Sequence, residues 1–431
     1  MSRVHVSNTA SIGAQPTDLR ASGRLVSLAA GAGVLIATIL LSACATIDRL
    51  PAVPLALASE IRPLDIPYAR FYADGDPADM HALAKEVIAK ARAARVAAGQ
   101  KADASTTTFL AISGGGDDGA FGAGLLVGWT ARGDRPQFNV VTGISTGALS
   151  APFAFLGPEY DDKLKQVYTE TSADDIFSKE PILGLLSGDA VTDSTPLKNL
   201  ISKFVNEEMI RRIAVEYDKG RLLLVATTNL DQARSVIWNI GAIAKSTDPR
   251  ARDLIIEVLR ASASIPGAFP PVMLDVTVDG RRYEEMHVDG GAMSQMFLYP
   301  PSFQLKSVTR NSKSHKDVAY IIRNGRLFRP EQSVKRQTLA IAGQAIATMT
   351  AANGANDLYR IYLTTQRDGI DYNLVYLDDE FAVPYVGPFD KTYMNTLFEF
   401  GYRKGSGGFQ WHKAPPGYEL ATGGATSASP N

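Results

Sequence analysis

The chain has 431 residues, of which 45% are hydrophobic and 21% charged, a composition typical of a globular protein large enough to bury a sizeable core. It carries 44 Lys and Arg residues against 45 Asp and Glu residues, so its formal net charge is -1. Proteins that bind the phosphate backbone need a basic surplus, and nucleic acid is therefore excluded as an expected partner.

The N-terminus has the layout of a secretory signal. Two arginines precede an uncharged stretch at 25–43, which ends in small residues. The next residue, Cys44, is the only cysteine in the chain, and Leu41-Ser42-Ala43-Cys44 resembles the lipobox of bacterial lipoproteins. The sequence therefore predicts a signal peptide over residues 1–43 and a lipidated Cys44. A membrane-anchored lipoprotein is expected, at the bacterial outer membrane facing the periplasm.

Two alternatives to lipidation remain open for this segment. The stretch at 25–43 is about as long as a membrane-spanning helix, which needs roughly 20 apolar residues, so an uncleaved anchor is one. A buried structural cysteine is the other. The position of Cys44 at the end of the apolar stretch favours the lipoprotein.

Residues 44–104 are predicted to form a tether followed by a helix. Four prolines between positions 51 and 67 favour an extended chain, because each removes a backbone donor and disfavours helix at the preceding residue. Residues 77–98 are rich in Ala, Lys, Glu and Arg, with an apolar residue at every third or fourth position, and predict a helix.

A catalytic domain is predicted over residues 105–301, where short apolar runs alternate with helical patterns. Residues 272–289 are interpreted as two strands joined by an Asp279-Gly280 turn. The alternation predicts an α/β fold with a mainly parallel sheet covered by helices on both faces. The remaining predicted strands are 108–113, 138–145, 220–230, 234–240 and 315–325, and the helices are 119–133, 145–157 and 253–265.

The first chemical motif is Gly143-Ile144-Ser145-Thr146-Gly147, between a predicted strand and a predicted helix. In that setting it is typical of a nucleophile elbow, in which a strained turn presents the hydroxyl at a helix N-terminus. The unpaired backbone donors there favour an alkoxide. An ordinary tight turn would use the same residue types, but the strand-to-helix context favours Ser145 as a nucleophile.

The second motif is the glycine-rich stretch "SGGGDDGAFGAG". Gly114, Gly116 and Gly119 satisfy the spacing of a dinucleotide-binding turn, although Asp117 and Asp118 would oppose a pyrophosphate. The alternative is an oxyanion hole, in which backbone N–H groups face a developing negative charge. Two consecutive parallel strands would place this loop beside the predicted elbow.

The third motif is Asp289-Gly290-Gly291, which follows a predicted strand. It could be a simple turn or could supply a general base. A Ser-His-Asp triad needs an imidazole, and of the five histidines only His287 lies close to Asp289 in sequence. His287 is therefore a minor candidate, and a carboxylate base remains open.

Four motifs, "AISGGGDDGAFGAG", "GISTG", "ASASIPGAFPPV" and "VDGGAM", occur in the order and approximate spacing of patatin-like phospholipases, which the chain resembles over about residues 109–301. The resemblance implies a three-layer α/β/α fold and a Ser-Asp dyad, with Ser145 as nucleophile and Asp289 as proton acceptor. The implied oxyanion donors are the amides of Gly114, Gly115 and Gly116. The other motif glycines are Gly119, Gly143, Gly147, Gly290 and Gly291.

One residue departs from the family pattern. Many members carry a basic residue at the position of Asp118, so this carboxylate is expected to point outward, or the loop to be tuned differently. The resemblance implies a serine acyl hydrolase acting on lipid acyl esters, with phospholipid or lysophospholipid as substrate. A non-catalytic lipid-binding or scaffold lipoprotein is the alternative, and a nucleotide-binding enzyme ranks third. No metal and no cofactor are expected.

Residues 302–431 are predicted to complete or cover the catalytic domain. A helix leading towards a strand is predicted from residue 337, and an amphipathic helix at 389–405. Tyr393, Leu397 and Phe398 lie on one face of the second helix, and such an apolar stripe is expected in the core.

Overall fold

The structure is a computed structural model and describes residues 49–102, 106–176, 178–179, 192–309, 316–327 and 333–418. The predicted signal peptide 1–43 and the predicted lipidation site Cys44 therefore lie outside the described residues. All described residues belong to one compact unit. The domain boundaries predicted from the sequence stay a prediction.

The described helices fall where the sequence alternates helical patterns with strands, and they include four, α4, α5, α6 and α7, that the sequence patterns did not identify. Their bounds are α1 Pro77–Ala97, α2 Gly119–Arg132, α3 Thr146–Leu156, α4 Asp161–Thr169, α5 Thr195–Phe204, α6 Glu207–Asp218, α7 Ile240–Ala244, α8 Ala251–Ser262, α9 Thr338–Asp368 and α10 Lys391–Gly407.

The described strands form one large sheet and one small hairpin. Their bounds are β1 Arg70–Tyr72, β2 Thr106–Ile112, β3 Val140–Gly143, β4 Ser178–Lys179, β5 Thr192–Asp193, β6 Leu222–Asn229, β7 Arg234–Asn239, β8 Val272–Val278, β9 Arg281–Asp289, β10 Lys316–Arg323 and β11 Ile370–Tyr376.

The large sheet has nine strands, with seven in the order β1-β7-β6-β3-β2-β10-β11. Five consecutive strands of this order, β6-β3-β2-β10-β11, are parallel. At the other end, β7 pairs antiparallel with both β6 and β1. Strand β9 pairs antiparallel with both β6 and β8. The predicted fold class is confirmed: a mixed α/β fold whose mostly parallel central sheet is flanked by helices. Two strands of this sheet, β10 and β11, come from the C-terminal region.

The burial of each strand follows from its position. All eight residues of β6 are buried, as expected for a central strand covered on both faces. Strand β8 instead alternates buried and more exposed residues and pairs with β9 in the predicted hairpin. Its turn residues Asp279 and Gly280 have φ of 50° and 73°, the positive values that a two-residue hairpin turn requires.

Helices α2 and α10 approach each other through glycines. Gly124 and Gly128 of α2 face α10, and Gly401 and Gly405 of α10 face α2. At each position a Cβ would come closer than 3.0 Å to a backbone atom of the opposite helix. The predicted face of α10 is confirmed as core, because Tyr393, Leu397 and Phe398 are all buried.

Candidate active site

Ser145 occupies a strained turn between β3 and α3. Its φ of 56° and ψ of -128° are unfavourable for a residue with a side chain, and such strain is characteristic of functional turns. The turn is possible only because neither flanking residue has a Cβ. A Cβ on Gly143 would overlap the carbonyl of Gly147, and a Cβ on Gly147 would overlap the carbonyl of Ile112. Glycine at both ends therefore permits the turn that presents Ser145.

A second serine, Ser262, stabilises the elbow by hydrogen bonding. The Ser145 amide donates to the Ser262 hydroxyl at 3.0 Å, and that hydroxyl donates to the Ala226 carbonyl at 2.7 Å. Ser262 is the last residue of α8 and the second residue of the "ASASIPGAFPPV" motif. The motif alone does not identify this role of Ser262, because the role depends on strand β6 being adjacent.

Asp289 lies beside Ser145, at the end of β9. The antiparallel register pairs Asp289 with Thr227 of β6, which is the neighbour of β3, and so carries the carboxylate to the elbow. The carboxylate accepts a hydrogen bond from the Gly291 amide at 2.7 Å, and the Ser145 hydroxyl lies close enough to lower its pKa. Gly290 follows Asp289 as the first residue of a short 3-10 turn. The structure thus brings the two predicted dyad residues together.

The environment of Asp289 makes its carboxylate basic. Asp289 is only 4% exposed, and burial raises its pKa to about 7, against the opposing effects of Ser145 and the Gly291 amide. A carboxyl with a pKa near neutrality can exchange a proton with a substrate at physiological pH.

His287 belongs to a different buried group. Its Nδ1 lies 2.9 Å from the Thr227 hydroxyl and its Nε2 lies 3.3 Å from Glu285, whose carboxylate pairs with Arg70 at 2.5 Å. Burial lowers the pKa of His287, so the imidazole is neutral at pH 7. None of the three histidines that the structure describes forms a hydrogen bond with Ser145 or Asp289.

The glycine loop lies against Ser145, as the parallel pairing of β2 with β3 predicts. A Cβ on Gly114 would sit 3.2 Å from that of Ser145. The Gly114 amide already donates to the Gln295 carbonyl at 2.9 Å, so it is not available to an oxyanion in this arrangement. The amides of Gly115 and Gly116 form no hydrogen bond with another described residue and remain available.

The two aspartates of the loop are bound to the C-terminal region. The Tyr393 hydroxyl of α10 donates to Asp118 at 3.0 Å, and the Phe389 amide donates to Asp117 at 3.0 Å. Burial raises the pKa of Asp117, with the Phe389 hydrogen bond opposing it. Gly119, which follows them, is the first residue of α2. The Asp118 carboxylate is therefore bound to α10.

Gln295 and Asp357 connect this loop to α9. Besides accepting from Gly114, Gln295 donates its side-chain amide to the Gly291 carbonyl at 3.3 Å and its backbone amide to Asp357 at 2.5 Å. Asp357 also accepts from the Met296 amide at 3.1 Å. These contacts join segments distant in sequence, so no local motif identifies them.

A cavity of about 380 Å³ adjoins the elbow. Its wall includes Ile144, the residue before Ser145, and is largely apolar elsewhere, with contributions from Phe297, Leu298 and Ile361. The volume is within the range of small-molecule sites. An apolar cavity of this size next to the elbow could accommodate the hydrocarbon part of a ligand.

The described residues contain neither a candidate metal site nor a candidate membrane-spanning helix. No group of three or more His, Cys, Asp or Glu side chains in the described ranges could hold a metal ion. Among these residues, no helix combines the length and apolar character needed to cross a bilayer.

Comparison with known proteins gives a family match in the same region. Residues 110–300 match the family model described as patatin-like phospholipase. No curated protein was found similar in sequence. Similar solved structures include VipD from Legionella pneumophila, with a TM-score of 0.30, 13% identity, and coverage of 69% of this chain and 66% of that chain. Human GIVD cytosolic phospholipase A2 has a TM-score of 0.31, 12% identity, and coverage of 65% and 51%. The alignments therefore span less than two thirds of either protein.

Proposed function

We propose that the protein is a serine acyl hydrolase that cleaves lipid acyl esters, because residues 110–300 match the model of the patatin-like phospholipase family. The substrate class is a phospholipid or lysophospholipid. The observation that carries the proposal is the placement of Ser145, in a strained elbow flanked by the glycine loop, beside the buried Asp289 carboxylate.

In the proposed reaction, Asp289 accepts the proton of Ser145 as the hydroxyl oxygen attacks the ester carbonyl. The tetrahedral oxyanion is stabilised by the amides of Gly115 and Gly116. The carbonyl re-forms, the alcohol leaves with the proton held by Asp289, and an acyl-enzyme remains. Asp289 then takes a proton from water, the resulting hydroxide attacks the acyl group, and the fatty acid is released with Ser145 regenerated.

We further propose that the mature protein is a lipoprotein held at the bacterial outer membrane, facing the periplasm, by acyl chains on Cys44. This rests on the signal-like stretch 25–43 and the sole cysteine that follows it. Cys44→Ala is expected to release the protein from the outer-membrane fraction of cells or to mislocalise it. Unchanged attachment would instead favour an uncleaved helix.

The hydrolase proposal is tested with a fluorophosphonate probe, which modifies activated serines. The wild-type protein is expected to be labelled and to hydrolyse a short, water-soluble ester, because Ser145 is paired with a base. Ser145→Ala should lose both properties. A folded wild-type protein that is neither labelled nor active towards soluble esters and phospholipid vesicles would favour the lipid-binding scaffold instead.

The pH dependence of the reaction should follow Asp289. The carboxylate must be deprotonated to accept the proton, and burial raises its pKa to about 7. We expect kcat/KM for a soluble ester to rise with pH and to reach a plateau above about pH 7, because this ratio reports the free enzyme. A pH profile already flat at about pH 5 would contradict the assignment of Asp289 as the base.

A further inference from the structure

Helix α9 has an exposed face without charge over most of its length. Residues three or four positions apart lie on one side of a helix, and seven such residues, from Ile341 to Leu363, fall within an arc of about 80°. Ile341, Met349 and Leu363 are 53%, 59% and 56% exposed, respectively. All seven are exposed: Ile341, Ala345, Met349, Ala352, Asn356, Tyr359 and Leu363.

Within the described part of the chain, the N-terminal half of α9 is largely exposed. Residues 338–356 contain no Asp, Glu, Lys or Arg, although most of residues 341–349 are exposed. A solvent-exposed helix ordinarily carries charged residues on its outer face, and a contiguous apolar face marks an interaction surface. Basic residues flank this face: Lys335 and Arg336 precede the helix, and Arg367 lies in its last turn. Arg360, which is paired with Asp357, borders the face near its C-terminal end.

The same helix forms part of the cavity wall. Arg360, Ile361 and Thr364 of α9 line the cavity that adjoins the elbow. Asp357 fixes this part of α9 to the segment that follows Asp289. Whatever binds the exposed face of α9 is thereby held next to this cavity, whose wall includes Ile144.

We propose that the exposed face of α9, from Ile341 to Leu363, docks on the surface of a lipid bilayer that contains anionic lipid. An apolar helix face flanked by basic residues is the pattern of helices that lie in the membrane interface. Along the helix the face extends about 33 Å at 1.5 Å per residue, which is parallel contact rather than a bilayer crossing. The inference rests on the proposed function, because a lipid hydrolase must meet its substrate at such a surface.

The C-terminal residues that follow Tyr418 offer little apolar cover for this face. The Tyr359 hydroxyl donates to the Pro416 carbonyl at 2.7 Å, so the end of the described chain reaches this face. Residues 419–431, which follow, contain a single large aliphatic residue, Leu420. A bilayer therefore matches the length and apolar character of the face better than this tail does.

Docking can be read out at single residues, because Cys44 is the only cysteine. Full-length Cys44→Ala protein carrying Met349→Cys is labelled with an environment-sensitive fluorophore. We expect its emission to shift to the blue on addition of phosphatidylcholine vesicles containing phosphatidylglycerol, and to be quenched by lipids with spin labels in the acyl chains. The control label at Val215→Cys, 48% exposed on α6, should show neither effect.

A functional test uses charge substitutions at equally exposed positions. Ile341→Glu/Met349→Glu is expected to lower hydrolysis of vesicle phospholipid at least about 10-fold while leaving soluble-ester turnover unchanged, because glutamate in the interface is unfavourable. Val96→Glu/Val215→Glu, at 58% and 48% exposure, adds the same charge elsewhere and should have no such effect.

Three results would overturn the docking proposal: no emission change at Met349→Cys with vesicles, emission already shifted without them, or equal loss of vesicle hydrolysis in both double variants. The emission assay does not require Ser145. Insertion in a protein inactive towards both substrates would therefore contradict the hydrolase proposal alone, whereas soluble-ester turnover without insertion would contradict docking alone.

Discussion

Asp289→Asn is expected to lower kcat for a soluble ester by about 10³-fold, within the usual range for removing a general base. Asparagine is close in size to aspartate but cannot accept the proton of Ser145. The effect should appear in kcat more than in KM, because the proton moves only as the transition state forms. Steady-state kinetics at about pH 8, where the wild-type carboxylate is ionised, provides the measurement.

The pH dependence of the free energy of unfolding shows whether Asp289→Asn is inactive because it unfolds or because it lacks the base. Since burial raises the Asp289 pKa from 3.8 to about 7, the folded protein binds the proton more tightly than the unfolded chain. The contribution of Asp289 to stability is therefore most favourable below pH 3.8 and is lost as the pH rises to about 7. Asp289→Asn lacks this loss, so its free energy of unfolding should decline less than that of the wild type between about pH 4 and pH 7.

His287→Gln is the matched control, because it alters the other candidate base on the same strand. Glutamine can retain one hydrogen bond to Thr227 or Glu285, and His287 makes none to the dyad. We expect a less stable protein whose folded fraction keeps most of its kcat. If His287→Gln were inactive while Asp289→Asn stayed active, a histidine-based mechanism would replace the dyad.

The parts of the site that the sequence predicts are those fixed by local geometry. Gly143 and Gly147 flank Ser145 because the turn leaves no space for a Cβ, and that requirement is visible in five consecutive residues. The hairpin at Asp279-Gly280 is equally local. The proximity of Asp289 to Ser145 is not local, and its prediction came from the resemblance of ordered motifs rather than from residue chemistry.

The parts that the sequence does not predict depend on contacts between distant segments. The Gly114 amide looks equivalent to its neighbours in the sequence, yet Gln295, held by Asp357 of α9, occupies it. The effect of Asp118 likewise depends on Tyr393, 275 positions away. No periodic pattern encodes either partner, because each hydrogen bond arises only when the sheet has brought the segments together.

The contact between α2 and α10 is a third example, and it connects the C-terminal region to the oxyanion loop. Helix α2 begins at Gly119, directly after the loop, and α10 supplies the hydroxyl that binds Asp118. Close approach of the two helices requires residues without a Cβ at Gly401 and at three other positions. In the sequence, these glycines would ordinarily be interpreted as weakening a helix.

Gly401→Ala is therefore expected to destabilise the protein by about 2 kcal/mol, although alanine is favoured over glycine in a helix by about 1 kcal/mol. The added Cβ would overlap the Phe121 carbonyl. Because that carbonyl belongs to the backbone of α2, the overlap is relieved only if α10 moves away from α2. Gly407→Ala, on the same helix with nothing within 4 Å of the added Cβ, should leave stability unchanged or raise it. Denaturant unfolding measures both variants.

Displacement of α10 should also alter the geometry of the active site. Displacement of α10 would shift Tyr393 from Asp118 and disturb the loop that presents Gly115 and Gly116, so soluble-ester kcat of folded Gly401→Ala is expected to fall about 10-fold. Gly407→Ala should keep its kcat. Equal stability and equal kcat in the two variants would mean that the helices tolerate a wider separation, and that α10 does not position the oxyanion loop.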